Sequence, residues 1–488
     1  MLNKPSYSVY LPYLISIGIP AVLLLGLYWP VLWVAVSLAA VFGMALFLFK
    51  KNWINYLIII TTFALPLSSE VELTEGVKLL FPSEPMLVIV AISITLVLLR
   101  RGFDWALHRR FIYTLVFFIV ALVAASVFSS DIIISIKYTL VYGLYLYCFY
   151  WGFYYLKSGS KDYEKLFFHC LLAYSISYLL VFFMALLTWA GHQFNPITIT
   201  GIFEPFYADH TIFGASGVAL TLFWFLRFLN KFKSSSVFQR FGHLLFILLC
   251  LSSVLVSGSR AAILSMPFAL VLCFLIKNGF NFKHFAITFL ALLGLGFIFY
   301  QDLNVLLNQN DYNSRDENAN FAEKTASAAN VHSDVSNVER INRWVAAVKM
   351  FEEKPILGFG PGTFQYEYIP FQQKKWMNRL SVKNAYDTPE NSGGTVHSEP
   401  LIFLSETGIL GFVAWLLLMM SWLYRAVSLK SESVKAAAML PLAIIASYWL
   451  HGMFNNFLNT DKFAFLFWGS AGYLMALSAQ KLKSIHED

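Results

Sequence analysis

The side chains best suited to chemistry are arginines and a histidine at the borders of apolar segments. Arg260 separates two apolar runs, and His397 lies just before another. Arg340 and Arg343 lie three residues apart in a polar segment. A guanidinium holds a phosphate through two parallel hydrogen bonds, and an imidazole with a pKa near 6.5 is a natural general base for a hydroxyl. These residue types predict a site for an anionic ligand and a hydroxyl nucleophile.

Each of these residues also has a simpler structural interpretation. Arg260 alone could extend to lipid headgroups, although an arginine at membrane depth is costly and is a functional candidate by default. The cationic face of Arg340 and Arg343 could simply be solvated, but Trp344 beside them favours an anionic, amphipathic ligand. A lone interfacial histidine such as His397 is more often structural than catalytic.

Acidic residues near the histidines extend the candidate site. Glu399 or Glu406 could orient or polarise His397, and the sequence does not decide between them. Asp209 and His210 form a further candidate where an outer loop joins a helix, although helix capping by Asp209 is the simpler interpretation. The residues predicted to contribute to substrate binding are Asp209, His210, Arg343, Trp344 and Glu399.

Motifs for metals, nucleotides and disulfides are missing from the sequence. There is no GxxxxGK[ST] phosphate loop, no Asp-x-Asp pair and no Cys/His spacing typical of zinc. The four cysteines lie within apolar runs and are interpreted as buried apolar side chains. We therefore predict a site without a metal or a cofactor.

The composition shows which elements must position these residues. Of 488 residues, 58% are hydrophobic and only 13% are charged, against about 25% charged in a soluble domain. Charge-free apolar runs reach the ~20-residue length of a membrane-crossing helix. The sequence predicts an all-α polytopic membrane protein with about 12–14 transmembrane helices. The candidate spans are 11–28, 31–49, 53–68, 86–99, 111–128, 132–156, 166–190, 210–229, 241–257, 261–276, 285–300, 401–424, 436–455 and 463–479.

The distribution of Lys and Arg predicts the orientation and three regions. Cations concentrate on alternate short connections, as expected if both termini are cytoplasmic. The regions are N-terminal membrane helices (1–300), a periplasmic loop (301–400) and C-terminal membrane helices (401–488). Within the loop, 308–337 is Asn-rich and predicted to be flexible, whereas 337–353 has the periodicity of an amphipathic helix.

Three sequence blocks carry a family resemblance. SGSRAAIL opens one apolar run, VERINRWVAAVKMFEEKPILGFGPGTF follows in the loop, and HSEPLIFLSETGILG leads into the next run. Their order and spacing, over roughly 241–424, resemble the O-antigen ligase superfamily, in the form found in the Bacteroidetes group. FYADHTIFGA resembles a motif of the equivalent outer loop. Pro400 departs from the family pattern, and the Asn-rich insertion has no assignable role.

The resemblance implies a fold, a reaction and three residue roles. The fold is a helical bundle of the GT-C type with one large periplasmic loop, in the bacterial inner membrane. The reaction is metal-independent, inverting transfer of a glycan from undecaprenyl pyrophosphate to a hydroxyl acceptor. By motif, Arg260 and Arg340 bind phosphate and His397 is catalytic.

The acceptor and one rival function stay open at this point. Lipid A-core oligosaccharide is the leading acceptor, but the same residues would serve an O-antigen polymerase or a protein O-oligosaccharyltransferase. A lipid-linked oligosaccharide flippase is the alternative from another class. A flippase would more naturally show paired halves and charges near the membrane midplane. The charges here gather beside a single long loop, which favours an enzyme.

Overall fold

The computed structural model describes residues 53–74, 77–101, 105–157, 163–279, 335–376, 394–429 and 431–477. Within these ranges, seven helices are long and apolar enough to cross a membrane. The prediction of an all-α polytopic membrane protein is thereby confirmed. The predicted spans 11–28, 31–49 and 285–300, and most of the Asn-rich segment, lie outside the described residues.

Helices form wherever the sequence predicts an apolar run within the described residues. The helices are α1 (Trp53–Ala64), α2 (Ser83–Arg101), α3 (Trp105–Val127), α4 (Ile132–Tyr145), α5 (Gly152–Lys157), α6 (Tyr163–Gly191), α7 (His210–Lys231), α8 (Val237–Ser257), α9 (Arg260–Lys277), α10 (Val335–Glu353), α11 (Phe364–Glu367), α12 (Glu399–Ser428), α13 (Glu432–His451) and α14 (Asp461–Ala464). A π-helical turn, Leu146–Trp151, joins α4 to α5, and another, Phe465–Gly469, continues α14. The candidate membrane spans are α6 to α9, α12, α13 and the combined α4–α5 unit.

A β-hairpin between α1 and α2 was not predicted. Strands β1 (Ser69–Thr74) and β2 (Val77–Phe81) pair in antiparallel register, with Ser69 opposite Phe81. Their sequences, SEVELT and VKLLF, contain β-branched and aromatic residues that suit an extended conformation. Residues 69–74 and 77–81 therefore form a two-stranded antiparallel sheet between α1 and α2.

Helix α7 lies at the centre of the bundle and approaches its neighbours closely. Small residues make this approach possible, as is common between membrane helices. A Cβ added at Gly217 would come within 2.5 Å of the Tyr178 hydroxyl of α6, and one at Gly214 within 2.5 Å of Ser257 Oγ of α8. This packing fixes the start of α7 beside the end of α8.

The core between α3, α4, α12 and the C-terminal helical residues is aromatic. Trp422 and Trp468 meet edge to face at 5.8 Å between ring centroids, and Phe118 meets Phe403 at 5.7 Å in the same manner. Such edge contacts are a favoured arrangement of aromatic rings. The core thus anchors α12, whose first residues carry part of the candidate site.

A glycine-rich turn after α10 clamps that helix to α12. Gly358 adopts a left-handed backbone (φ 66°), and a Cβ there would lie 2.4 Å from the Glu406 carbonyl carbon. The Glu406 carboxylate accepts hydrogen bonds from the backbone N–H of Gly362 (2.8 Å) and Phe364 (3.0 Å). Helix α12 is interrupted at Gly408 (φ 61°), where the N–H of Ile409 donates to Pro355. The turn therefore docks α10 onto the bundle.

Candidate active site

His397 lies at the junction between the loop and α12, in an unusual backbone conformation. Its φ is +55°, a left-handed value that costs about 1–2 kcal/mol for a residue other than glycine. Contacts on both sides hold it there. Thr395 Oγ1 donates to Asn456 Oδ1 (2.5 Å), and the N–H of Glu399 donates to the Gly452 carbonyl (2.7 Å). Such strained residues cluster at functional sites, which makes His397 a strong candidate.

Arg343 connects α10 to the segment that leads to His397. One terminal nitrogen, Nη2, pairs with Glu339 Oε1 at 2.6 Å, one turn earlier on the helix. The other, Nη1, donates to the Thr395 carbonyl at 2.7 Å. A Cβ added at Gly394 would lie 2.3 Å from Nη1, so a larger residue there would require the guanidinium to shift. These contacts favour a positioning role, whereas its predicted contact with substrate remains a prediction.

The field around His397 keeps its imidazole neutral. Burial, which is the largest cause, and the positive charges of Arg343 and Arg340 together lower the pKa of His397 to about 3, although the negative charge of Asp209 acts in the opposite direction. A polar contact with Asn455 also opposes the shift. Arg340 therefore lies within electrostatic reach of His397, and the ring has a lone pair available at physiological pH.

The segment before α7 brings Asp209 and His210 to the same end of the bundle. Asp209 Oδ1 accepts from the N–H and the hydroxyl of Thr211, both at 2.7 Å, so it caps α7 as the simpler interpretation had it. It also interacts electrostatically with His397. The Nδ1 atom of His210 lies 2.7 Å from the Ser257 carbonyl oxygen. This contact ties the loop to the SGSR block.

Arg260 is the first residue of α9. The preceding Gly258 is left-handed (φ 64°), and Ser259 caps the helix by accepting the N–H of Ala262 at 3.3 Å. A cation at a helix N-terminus opposes the helix dipole, so Arg260 does not stabilise its helix by charge. A helix start that also carries a guanidinium is an arrangement suited to binding an anion. Because His210 contacts Ser257, the start of α9 lies beside the loop that carries Asp209.

The two glutamates near His397 are engaged elsewhere. The Glu399 carboxylate is buried and accepts from the hydroxyls of Tyr142 (3.2 Å) and Tyr448 (2.5 Å) and from the N–H of Phe457 (3.2 Å). Glu406 holds the glycine-rich turn. Through these hydrogen bonds, both carboxylates hold neighbouring segments against the first turns of α12.

The turn after α13 supplies polar side chains that sequence reasoning did not single out. Asn455 contacts His397, and its Nδ2 lies 3.1 Å from Nε2 of His451. Neither His451 nor Asn455 is among the residues that the sequence predicts for the site. The available signal was the polar run HGMFNNFLNT directly after an apolar helix. Trp344 lies against the same turn, with its ring 6.4 Å from that of Phe454.

Among the residues that the structure describes, no group of three or more His, Cys, Asp and Glu side chains could hold a metal ion. The cluster at this end of the bundle combines guanidinium groups, a neutral imidazole and an amide. Guanidinium groups bind anions, and a neutral imidazole accepts a proton.

The fold defines a polytopic membrane protein, and the candidate site at one end of its helix bundle contains arginine and histidine side chains. Residues 245–416 match the family model described as O-Antigen ligase. The predicted resemblance to the O-antigen ligase superfamily is confirmed over this stretch, which includes Arg260, Arg340 and His397. The match supports a function of the O-antigen ligase or polymerase type, with a lipid-linked glycan and an acceptor as substrates in general. No curated protein matches the chain.

Proposed function

We propose that this protein is a glycosyltransferase that moves a glycan, such as O-antigen, from undecaprenyl pyrophosphate to a hydroxyl acceptor. The favoured acceptor is lipid A-core oligosaccharide, on the periplasmic side of the bacterial inner membrane. One observation carries the proposal. The backbone of His397 is left-handed, and its imidazole is neutral because of burial and the nearby charges of Arg340 and Arg343. All three residues lie within the stretch that matches the family model.

The reaction assigns one role to each residue. Arg260 and Arg340 hold the diphosphate of the donor. His397 takes the proton of the acceptor hydroxyl while the acceptor oxygen attacks the anomeric carbon from the face opposite the diphosphate. A new glycosidic C–O bond forms and the bond from the anomeric carbon to the phosphate oxygen breaks, which inverts the configuration. The electron pair leaves with the diphosphate, whose growing charge the guanidinium groups stabilise.

The low pKa of His397 has a function in this scheme. In the free protein the arginine charges disfavour a proton on the imidazole. A bound diphosphate neutralises those charges, so the pKa of His397 rises when the donor is in place. A base is most effective when its pKa lies near the working pH. Donor binding therefore strengthens the base for the step that follows.

Transfer in vitro tests the proposal. Purified full-length protein is incubated with undecaprenyl-pyrophosphate-linked glycan and, separately, with lipid A-core, a second lipid-linked glycan or a Ser/Thr peptide, all with a chelator. Transfer to lipid A-core in the chelator is the expected result. Transfer only to the lipid-linked glycan or only to the peptide would reassign the acceptor to the polymerase or protein-transferase alternative. No transfer to any acceptor, or transfer that requires a metal, would reject the mechanism.

A further inference from the structure

The turn that follows α13 holds the backbone of His397 from both sides. Thr395 donates to Asn456, and the N–H of Glu399 donates to Gly452. The Glu399 carboxylate in turn accepts the N–H of Phe457. Residues 452–457 therefore form a platform under the candidate base, and a side chain of this turn is well placed to control the orientation of the imidazole.

Asn455 belongs to this platform and contacts His397, and His451, at the end of α13, contacts Asn455 in turn. Asn455 and His451 are each only 1% exposed. The Asn455 amide nitrogen lies 3.1 Å from Nε2 of His451, so it can donate to that atom when the ring is neutral with its proton on Nδ1. Among the described residues, no protein donor forms a hydrogen bond with Asn455 Oδ1. That oxygen is thus available to the ring N–H of His397, the side chain that Asn455 contacts.

We propose that Asn455, itself held by His451, is the positioning residue for His397. It accepts the hydrogen of the protonated ring nitrogen and thereby directs the other nitrogen, with its lone pair, toward the acceptor hydroxyl. A base oriented by a third group is a recurring arrangement in catalysis. This inference rests on the proposed function, in which His397 removes the proton.

An amide suits this position better than a carboxylate. The charged groups that face His397 are Arg340 and Arg343 from α10 and Asp209 from the loop before α7, while His451 from α13 lies behind Asn455. A carboxylate in place of the amide would add a negative charge close to the donor diphosphate and would favour a protonated, inactive imidazole. The neutral amide fixes the ring without either effect.

Two substitutions at Asn455 test the proposal through a pH profile. Asn455→Asp retains an acceptor oxygen but adds a charge, so the pKa of His397 rises. We expect its kcat/KM to fall as pH decreases through a new pKa, while the wild type shows no such loss attributable to His397 down to its pKa of about 3. Asn455→Ala loses the orientation. Its kcat should fall at least about tenfold, less than the about 10²–10⁴ expected for loss of a general base, with KM for the donor unchanged.

A matched amide controls for added charge and for folding. Asn459 belongs to the same segment but its side chain contacts Tyr138, so Asn459→Asp should keep the wild-type pH profile. His451→Gln retains an acceptor for Asn455 and should restore most of the kcat that His451→Phe loses. This pair still tests the idea if a variant at Asn455 fails to fold.

The outcomes separate this inference from the proposed function. Wild-type rates and profiles in both Asn455 variants, or the same acid loss in Asn459→Asp, would overturn the positioning role. If His397→Asn is inactive in that case, the proposed function stands. If His397→Asn retains transfer, the proposed function itself fails, whatever the Asn455 variants do.

Discussion

At the scale of single residues, the conformation of His397 decides which substitutions are informative. Alanine at φ +55° is more strained than histidine, whereas asparagine, like histidine, visits the left-handed region more readily. The sequence predicts His397, Arg260 and Arg340 as site residues because each belongs to a recognisable motif, with Asp209 and His210 as a further candidate. It could not identify Asn455, because the contact with His397 exists only after two segments far apart in the chain pack together.

His397→Asn is therefore expected to abolish transfer while the protein still inserts and folds. The variant removes the base but keeps a side chain compatible with the backbone, so the rate should fall by about 10²–10⁴. Single-turnover transfer by purified protein measures the loss. His192→Asn, at an exposed histidine in the loop after α6, is the control and should transfer at the wild-type rate. Near-normal transfer by His397→Asn would remove His397 from the mechanism.

Arg340→Lys and Arg260→Lys are each expected to remain strongly impaired. An ammonium keeps the charge but cannot make two parallel hydrogen bonds to a phosphate, and loss of a well-placed electrostatic stabiliser lowers the rate by about 10²–10³. The alanine variants should lose detectable transfer. Lys349→Ala, further along α10, removes a cation of the same helix and should have little effect. If both lysine variants match the wild type in kcat, charge alone suffices and the paired contact is wrong.

At the scale of elements, the site depends on how α10 is docked onto the bundle. The apolar runs predict the membrane helices well, because length and hydrophobicity alone decide whether a segment can span a bilayer. The periodicity also predicts a helix over 337–353, and α10 spans Val335–Glu353. The break in α12 at Gly408 and the hairpin before α2 were not predicted, since both depend on contacts with other segments.

Gly358→Ala is expected to loosen α10 while leaving the bundle intact. An alanine at φ 66° is strained by about 1–2 kcal/mol, and its Cβ would lie 2.4 Å from the backbone of Glu406. Limited proteolysis from the outer side should cut α10 and its flanks faster than in the wild type, with reduced transfer. Gly242→Ala in α8, where an added Cβ meets nothing within 4 Å, should match the wild type. Equal protection of both variants would show that the turn does not hold α10.

At the scale of the whole molecule, the charges are arranged differently at the two ends of the bundle. The connection between α7 and α8 and its flanks carry four cations: Arg227, Lys231, Lys233 and Arg240. At the opposite end, the short connections that lead into α7, α9 and α14 carry Arg260 and the buried Lys462 as cations, and Arg340 and Arg343 reach this end from α10 in the long loop. The positive-inside rule places the α7–α8 connection in the cytoplasm. We therefore propose that the candidate site faces the periplasm.

Thiol labelling tests this orientation without relying on catalysis. The four native cysteines are buried, so they should react slowly with a membrane-impermeant maleimide. Met453, on the turn beside Asn455, is 48% exposed, and Ser234 is exposed in the α7–α8 connection. In cells with a permeabilised outer membrane and an intact inner membrane, Met453→Cys should be labelled and Ser234→Cys should be labelled only after lysis. The reverse pattern would place the arginine–histidine cluster in the cytoplasm, where transfer to a periplasmic acceptor could not occur.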